Sequence, residues 1–163
     1  KVYCSPLRRC TETAEILFAD TPLPIHYCDE LREIHMGPWE GELYTDLRVR
    51  YPQEFHAFWN QPDQFLLEGA ESYLDVQQRA SNKLSKILEI NTAKELAIVS
   101  HGVVIKALLC AAEQRPLARL WDAPAMHNCA HSVIDILDDG SQRISLYADH
   151  PYPVSYAQTI LNK

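Results

Sequence analysis

Glu95-Leu96-Ala97-Ile98-Val99-Ser100-His101-Gly102 runs directly into Val103-Val104-Ile105-Lys106-Ala107-Leu108-Leu109-Cys110-Ala111-Ala112, and the change of character at His101-Gly102 decides the fold. The first half is a continuous apolar run of strand length, too short for a helix and suited to a strand covered on both faces. The second half, from Val103 to Ala112, reads as a helix. The same junction recurs at the start of the chain. Lys1 to Cys4 reads as a short strand, Ser5-Pro6 as a helix cap with a first-turn proline, and Leu7 to Ala19 as a helix with Ala14, Leu17 and Phe18 at helical spacing.

Between these junctions, Thr21-Pro22-Leu23-Pro24 stops the first helix, and Ile25 to Cys28 is expected as a second short strand before an irregular stretch from Asp29 to Gly41. Glu42 to Gln61 reads as helix in two pieces split before Pro52, with Phe55, Phe58 and Trp59 on an aromatic face. Tyr73 to Ile90 is the clearest helix, because Tyr73, Val76, Ala80, Leu84, Ile87 and Leu88 recur at three- and four-residue steps. His131 to Leu137 and Gln142 to Ala148 alternate as a hairpin about the turn Asp138-Asp139-Gly140-Ser141. Strands alternating with helices predict an α/β sandwich, a largely parallel sheet flanked by helices. One domain over residues 1–163 is expected, with a mainly helical cover at about 42–92.

Composition narrows the function classes. With 47% hydrophobic and 23% charged residues, 5 Gly and 10 Pro in 163 residues, the chain is globular in type. A formal net charge of −7 disfavours a nucleic-acid surface, which needs clustered cations, but leaves room for a local anion pocket. The longest apolar runs are broken by Lys106 and fall short of a bilayer. The five cysteines, at 4, 10, 28, 110 and 129, show no Cys-x-x-Cys spacing, so a reducing cytoplasmic setting is expected, with no zinc knuckle and no disulfide framework. No charged-then-apolar leader is present. Beginning at Lys1 within strand-like sequence, the chain is expected to start partway into a gene product.

In open α/β sheets, ligands bind beyond the carboxyl ends of strands, where helix N-termini offer amide groups to anions. The two junctions bring Ser5, Arg8 and Arg9 from one side and Ser100-His101-Gly102 from the other, enough for a phosphate-sized pocket. Glycines occur only at 37, 41, 69, 102 and 140, which excludes the dinucleotide and Walker fingerprints. A Cys-x5-Arg phosphatase loop from Cys4 fails because Cys10 stands where arginine is required. No serine has the flanking glycines of a hydrolase elbow. His127 and His131 are four residues apart, but His131 belongs to a strand-like run, so no metal site and no cofactor is expected.

Tyr3-Cys4-Ser5-Pro6-Leu7-Arg8-Arg9-Cys10-Thr11-Glu12-Thr13-Ala14 resembles the Ser-x-Leu-x-Arg-Ala-x-x-Thr-Ala segment of the histidine phosphatase superfamily, the phosphoglycerate mutase-like family, with Cys10 where alanine is usual. Leu31-Arg32-Glu33-Ile34-His35-Met36-Gly37-Pro38-Trp39-Glu40-Gly41 resembles the stretch that supplies the family's acid. Gly69-Ala70-Glu71-Ser72 is similar to its Gly-Glu-Ser with one extra residue, and Val99-Ser100-His101-Gly102 resembles its late histidine motif. Four motifs in order over most of the chain are specific where each alone is weak. The wording around Glu33 looks most like the branch of α-ribazole phosphatases and broad-specificity phosphatases.

The resemblance implies a three-layer sandwich and a metal-independent phosphomonoester hydrolase for a small phosphorylated metabolite, working through a phosphohistidine. It implies that Arg9 grips the phosphoryl oxygens, Glu33 protonates the leaving oxygen and His101 neutralises the phosphoryl group. A planar, permanently charged guanidinium and convergent cations suit phosphoryl transfer. Met36 and Trp39 are expected as apolar surroundings for Glu33, with Glu40 its rival as acid. Ser5, Glu71, Gly102 and Asn128 are expected as substrate contacts, with His127 beside Asn128 at the rim, and Arg8 as a solvated arginine. The family's nucleophile lies in an Arg-His-Gly motif on a first strand that has no counterpart among the histidines at 26, 35, 56, 101, 127, 131 and 150. The sheet is therefore expected to lack that strand. A mutase and a non-catalytic phosphate-binding relative are the alternatives.

Overall fold

The computed structural model describes residues 1–152. The expected parallel layer has β1 (Val2–Cys4) at its centre, between β2 (Ile25–Tyr27) and β3 (Ala97–Val99), both parallel to it. Val2 pairs with Ile25 and Ala97, and Cys4 with Tyr27 and Val99. All three residues of β1 are buried, as a central strand's apolar run requires. The ladder continues one step further: Ser5 N donates to Val99 O at 2.9 Å and Cys28 N to Cys4 O at 2.8 Å. This extension brings the carboxyl ends of β1 and β3 together, with Ser5 beside Ser100 and His101.

The first helix, α1 (Arg8–Leu17), starts later than expected. Its cap position is Leu7, without a side-chain cap, so Ser5 and Pro6 stay in the connection instead of capping the helix. The Ser5 hydroxyl instead turns to a partner on the other junction, described below. After β2 come α2 (Tyr44–Arg50), α3 (Pro52–Asn60) and α4 (Tyr73–Glu89), split before Pro52 as the sequence suggests. Ser72 opens α4 through a reciprocal capping box: Asp75 N donates to Ser72 Oγ at 3.2 Å and Ser72 N to Asp75 Oδ2 at 2.9 Å. The periodic face buries Tyr73, Val76, Ala80 and Ile87.

Trp39 anchors the cover. Its ring centroid lies 5.6–6.1 Å from those of Tyr51, Phe55, Phe58 and Phe65. The Phe58 carbonyl accepts from Tyr73 Oη at 3.0 Å and Trp121 Nε1 at 2.8 Å, which fixes the polar edges of two buried rings. The aromatic face is thus packing. Gly37 lets this cover close: at φ +54°, a Cβ there would lie 2.5 Å from the Gly69 carbonyl oxygen.

The helix α5 (Gly102–Ala112) buries Val103, Val104, Lys106, Ala107, Leu108, Leu109 and Cys110, a nearly all-round burial that matches its apolar sequence. One face joins the Trp39 cluster. Another packs through Leu109 on Ile144 and Tyr147 of a second sheet. That sheet is antiparallel, β4 (Val133–Ile136), β5 (Gln142–Tyr147) and β6 (His150–Pro151), and its β4–β5 hairpin pairs Ile136 with Gln142. Among the described residues, the parallel and antiparallel strands form separate three-stranded sheets. No helix of the described residues is long and apolar enough to cross a membrane. The single-domain expectation extends to residues 153–163, outside those described.

Candidate active site

The ends of β1 and β3 place three separated parts of the sequence at one point. Arg9, on the first turn of α1, donates from Nε to His101 Nδ1 at 3.0 Å across 92 positions. An arginine Nε–H can only donate, so Nδ1 is the accepting nitrogen and the neutral ring carries its proton on Nε2. Nε2 lies 2.7 Å from Ser5 Oγ, which accepts that proton and also receives Leu7 N at 3.3 Å. Ser5 is fully buried, so its hydroxyl holds the imidazole from behind instead of capping α1.

His101 is 5% exposed and stands at the N-cap of α5. Burial, and then the charges of Arg9 and Arg79, push its imidazole down to about 4. Arg9 and His101 therefore bring one permanent cation and one neutral ring together. Gly102 is exposed, and a Cβ on it would meet nothing within 4 Å, so the head of α5 is open at that residue.

Glu33 closes the group. Its Oε1 accepts from its own neighbour Ile34 N at 3.0 Å and its Oε2 from Val103 N at 3.4 Å, at the N-terminus of α5. Burial raises its carboxyl above the usual range, although the amides of Ile34, Val103 and Val104 and the charge of Arg9 pull downward. A carboxyl so placed is suited to hold a proton beside an anion. Ile34 and Trp39 are buried close by in the chain, with Met36 packed against the same cluster. Glu40, the rival, is exposed and accepts from Met36 N at 2.8 Å, with His35 Nδ1 at 3.5 Å. Arg8 is 89% exposed and pairs with Glu12 at 2.7 Å.

Two expected contacts have other partners in the structure. Glu71 is engaged by Arg79, through Nε at 2.7 Å and Nη2 at 2.9 Å, and accepts from His35 N at 2.8 Å. Burial pushes its carboxyl up, but these partners outweigh it and hold it below the ordinary range. Its carboxylate is thus occupied by the protein itself. Asn128 is exposed, and its carbonyl lies 3.0 Å from His127 Nδ1; no described contact joins it to Arg9, Glu33 or His101. His127 Nε2 meets Asp149 at 3.0 Å, and His131 N donates to the same carboxylate at 3.2 Å. No cluster of three or more His, Cys, Asp or Glu suited to a metal ion occurs among the described residues.

Two further residues touch this group, and no sequence motif assigns either a role. Cys10 is buried, its thiol donates to Ser100 O at 3.3 Å, and its sulfur lies 3.6 and 3.5 Å from the two ring nitrogens of His101. Burial raises its thiol, which fits a packing role under the ring and not a nucleophile. The other is Arg79, on α4, for which the sequence holds no local signal because its partners are distant in the chain.

The chain matches the family described as the histidine phosphatase superfamily (branch 1) over residues 1–150. It is 29% identical over 133 residues to phosphoserine phosphatase 1 of Hydrogenobacter thermophilus, an alignment covering 82% of this chain and 63% of that protein. It is 27% identical over 135 residues to the adenosylcobalamin/alpha-ribazole phosphatase of Escherichia coli, covering 83% and 66%. The solved structure of Bacillus stearothermophilus YhfR superposes with a TM-score of 0.87 at 35% identity, covering 91% of this chain and 73% of that one. The chain thus spans just under two thirds of these two curated relatives.

Proposed function

The chain belongs to the histidine phosphatase superfamily, and from that premise we propose that it carries the phosphate-handling side of a metal-independent phosphomonoester hydrolase. The substrate is a small phosphorylated metabolite and the intermediate a phosphohistidine. The observation that carries this reading is the convergence at the strand ends: Arg9 against His101 at 3.0 Å, with the Glu33 carboxylate on Val103 N at the head of α5.

In this reading the nucleophilic imidazole nitrogen attacks phosphorus as the bond to the ester oxygen breaks. The departing oxygen keeps the electron pair and takes the proton of Glu33, because an alkoxide leaves poorly without one. The Glu33 carboxylate then removes a proton from water, whose oxygen attacks phosphorus while the phosphorus–nitrogen bond breaks and returns the imidazole. The Arg9 guanidinium and the Gly102 amide at the head of α5 stabilise charge on the equatorial oxygens, and an anion bound beside His101 favours protonation of its ring, which then adds to that stabilisation. Of the seven histidines, six are exposed and only His101 is buried at this point, where its position matches the family's late histidine. The nucleophile is therefore assigned to none of the 163 residues.

Full-length protein tests the reading through release of inorganic phosphate from a panel of phosphomonoesters. Arg9→Ala is expected to lower kcat/KM about 10³-fold, and EDTA to leave turnover unchanged. Glu33→Gln is expected to slow alkyl phosphates by about 10²-fold or more and p-nitrophenyl phosphate far less. Near-normal turnover of Arg9→Ala would falsify the pocket assignment. Isomer interconversion without net phosphate release would replace the hydrolase by a mutase.

A further inference from the structure

We infer that Arg79 is a positioning residue for the acid: through its bond to the backbone of Glu33, with Glu71 as its orienting partner, it sets where the Glu33 carboxyl points. The inference rests on the reading of Glu33 as the acid. Arg79 projects from the middle of α4, and its guanidinium meets four acceptors. Nε and Nη2 grip the two oxygens of Glu71 at 2.7 and 2.9 Å. Nη1 donates to Glu30 O at 2.7 Å, and Nη2 also to Glu33 O at 3.2 Å.

Glu71 continues the hold. Its Oε2 accepts from His35 N at 2.8 Å, and its own amide donates to His35 O at 2.8 Å. The segment carrying Glu33 is therefore pinned at residues 30, 33 and 35 by one ion pair. From its opposite side, Ser100 Oγ donates to Leu31 O at 2.8 Å. Residues 30–35 thus form a bridge between α4 and the junction of β3 with α5 at Ser100.

The bridge matters because the Glu33 carboxyl is held on one side by its own neighbour, Ile34 N at 3.0 Å, and on the other by a long 3.4 Å bond to Val103 N with the Val104 amide beside it, so its place follows the backbone that carries it. A shift of the Glu33 backbone would move the carboxyl away from the pocket, and misplacements of about 1 Å cost catalysis heavily. An arginine suits this place because its planar fork serves a carboxylate and two carbonyls at once, which an ammonium cannot do in the same geometry. With side chains 21% and 26% exposed, Arg79 and Glu71 are shielded enough for the pair to be persistent.

The test uses full-length protein and a series of esters running from p-nitrophenyl to alkyl phosphates, with inorganic phosphate as competitive inhibitor. Arg79→Gln is expected to lower kcat for alkyl esters at least about tenfold more than for p-nitrophenyl phosphate, while the inhibition constant for phosphate changes less than about threefold. Arg79→Lys keeps the charge but not the fork and is expected to show the same leaving-group dependence. Adding Arg79→Gln to Glu33→Gln is expected to add no further dependence. Should Arg79→Gln fail to fold, Glu71→Gln carries the same expectation. Equal slowing of all esters, or a parallel loss of phosphate affinity, overturns the positioning role. If Glu33→Gln itself lacks leaving-group dependence, the acid reading falls and this inference with it; if Glu33→Gln shows it and Arg79→Gln does not, only this inference falls.

Discussion

At the scale of single residues, the neutrality of His101 has a measurable consequence. Its imidazole is held at about 4 in the folded chain against 6.5 ordinarily, first by burial and then by Arg9 and Arg79. Between these values the unfolded chain binds the extra proton and the folded chain does not, so stability falls as pH drops from 6.5 towards 4 and this contribution is spent below 4. Glu33 acts in the opposite sense, since its raised carboxyl takes up a proton in the folded chain first. Comparing wild type with His101→Asn isolates the histidine. The variant is expected to lose about 3 kcal/mol less than wild type across that window in urea unfolding, and parallel pH curves would show that the ring takes up its proton alike in the folded and unfolded chain. Arg9, Glu33 and His101 could be picked out in the sequence because each lies within a short motif or at a strand-to-helix junction. Glu71 also lies in a motif, but a motif does not say which way a carboxylate turns, and here it turns to Arg79. Arg79 lies outside every motif, and its partners are 8, 46 and 49 positions away.

At the scale of elements, helices were readable wherever a periodic apolar face met a definite stop or start, as in α4 with its Ser72–Asp75 box. The start of α1 departs from the sequence expectation because Ser5-Pro6 has the composition of a cap while the hydroxyl is used 96 positions away by His101. The loop after Glu33 depends on a contact no local rule predicts, the approach of Gly37 to the Gly69 carbonyl. Gly37→Ala combines a left-handed backbone, costing about 1–2 kcal/mol for a side chain, with a Cβ 2.5 Å from that oxygen. Gly41→Ala has a similar backbone at φ +77° but open space around it. Chemical denaturation is therefore expected to show Gly37→Ala clearly more destabilised than Gly41→Ala, and equal losses would mean that the close approach carries no energy. Ser72→Ala, which removes the hydroxyl half of the box, is expected to cost about 1 kcal/mol.

At the scale of the whole molecule, strand-to-helix syntax indicated an α/β architecture, whereas the division into two sheets was not readable. Pairing partners of β1 lie more than 20 and more than 90 positions away, and nothing local names them. The same long-range pairing is what assembles the site, because β1 and β3 each hand one side of the pocket to the other. On the proposed function, an oxyanion bound there would bridge α1, the Glu33 segment and α5, and it would have no such site in the unfolded chain. Vanadate at about 100 times its Kd should therefore stabilise the fold by about 2.7 kcal/mol, raising Tm by roughly 5–10 °C for a domain of this size. Arg9→Ala is expected to lose the shift, since the permanent cation is gone, while Asn128→Ala, for which no described contact joins Arg9, Glu33 or His101, is expected to keep it. A full shift in Arg9→Ala would place the anion somewhere other than the meeting point of β1 and β3. Loss of the shift in Asn128→Ala would instead bring that loop into the site and widen the pocket towards the antiparallel sheet.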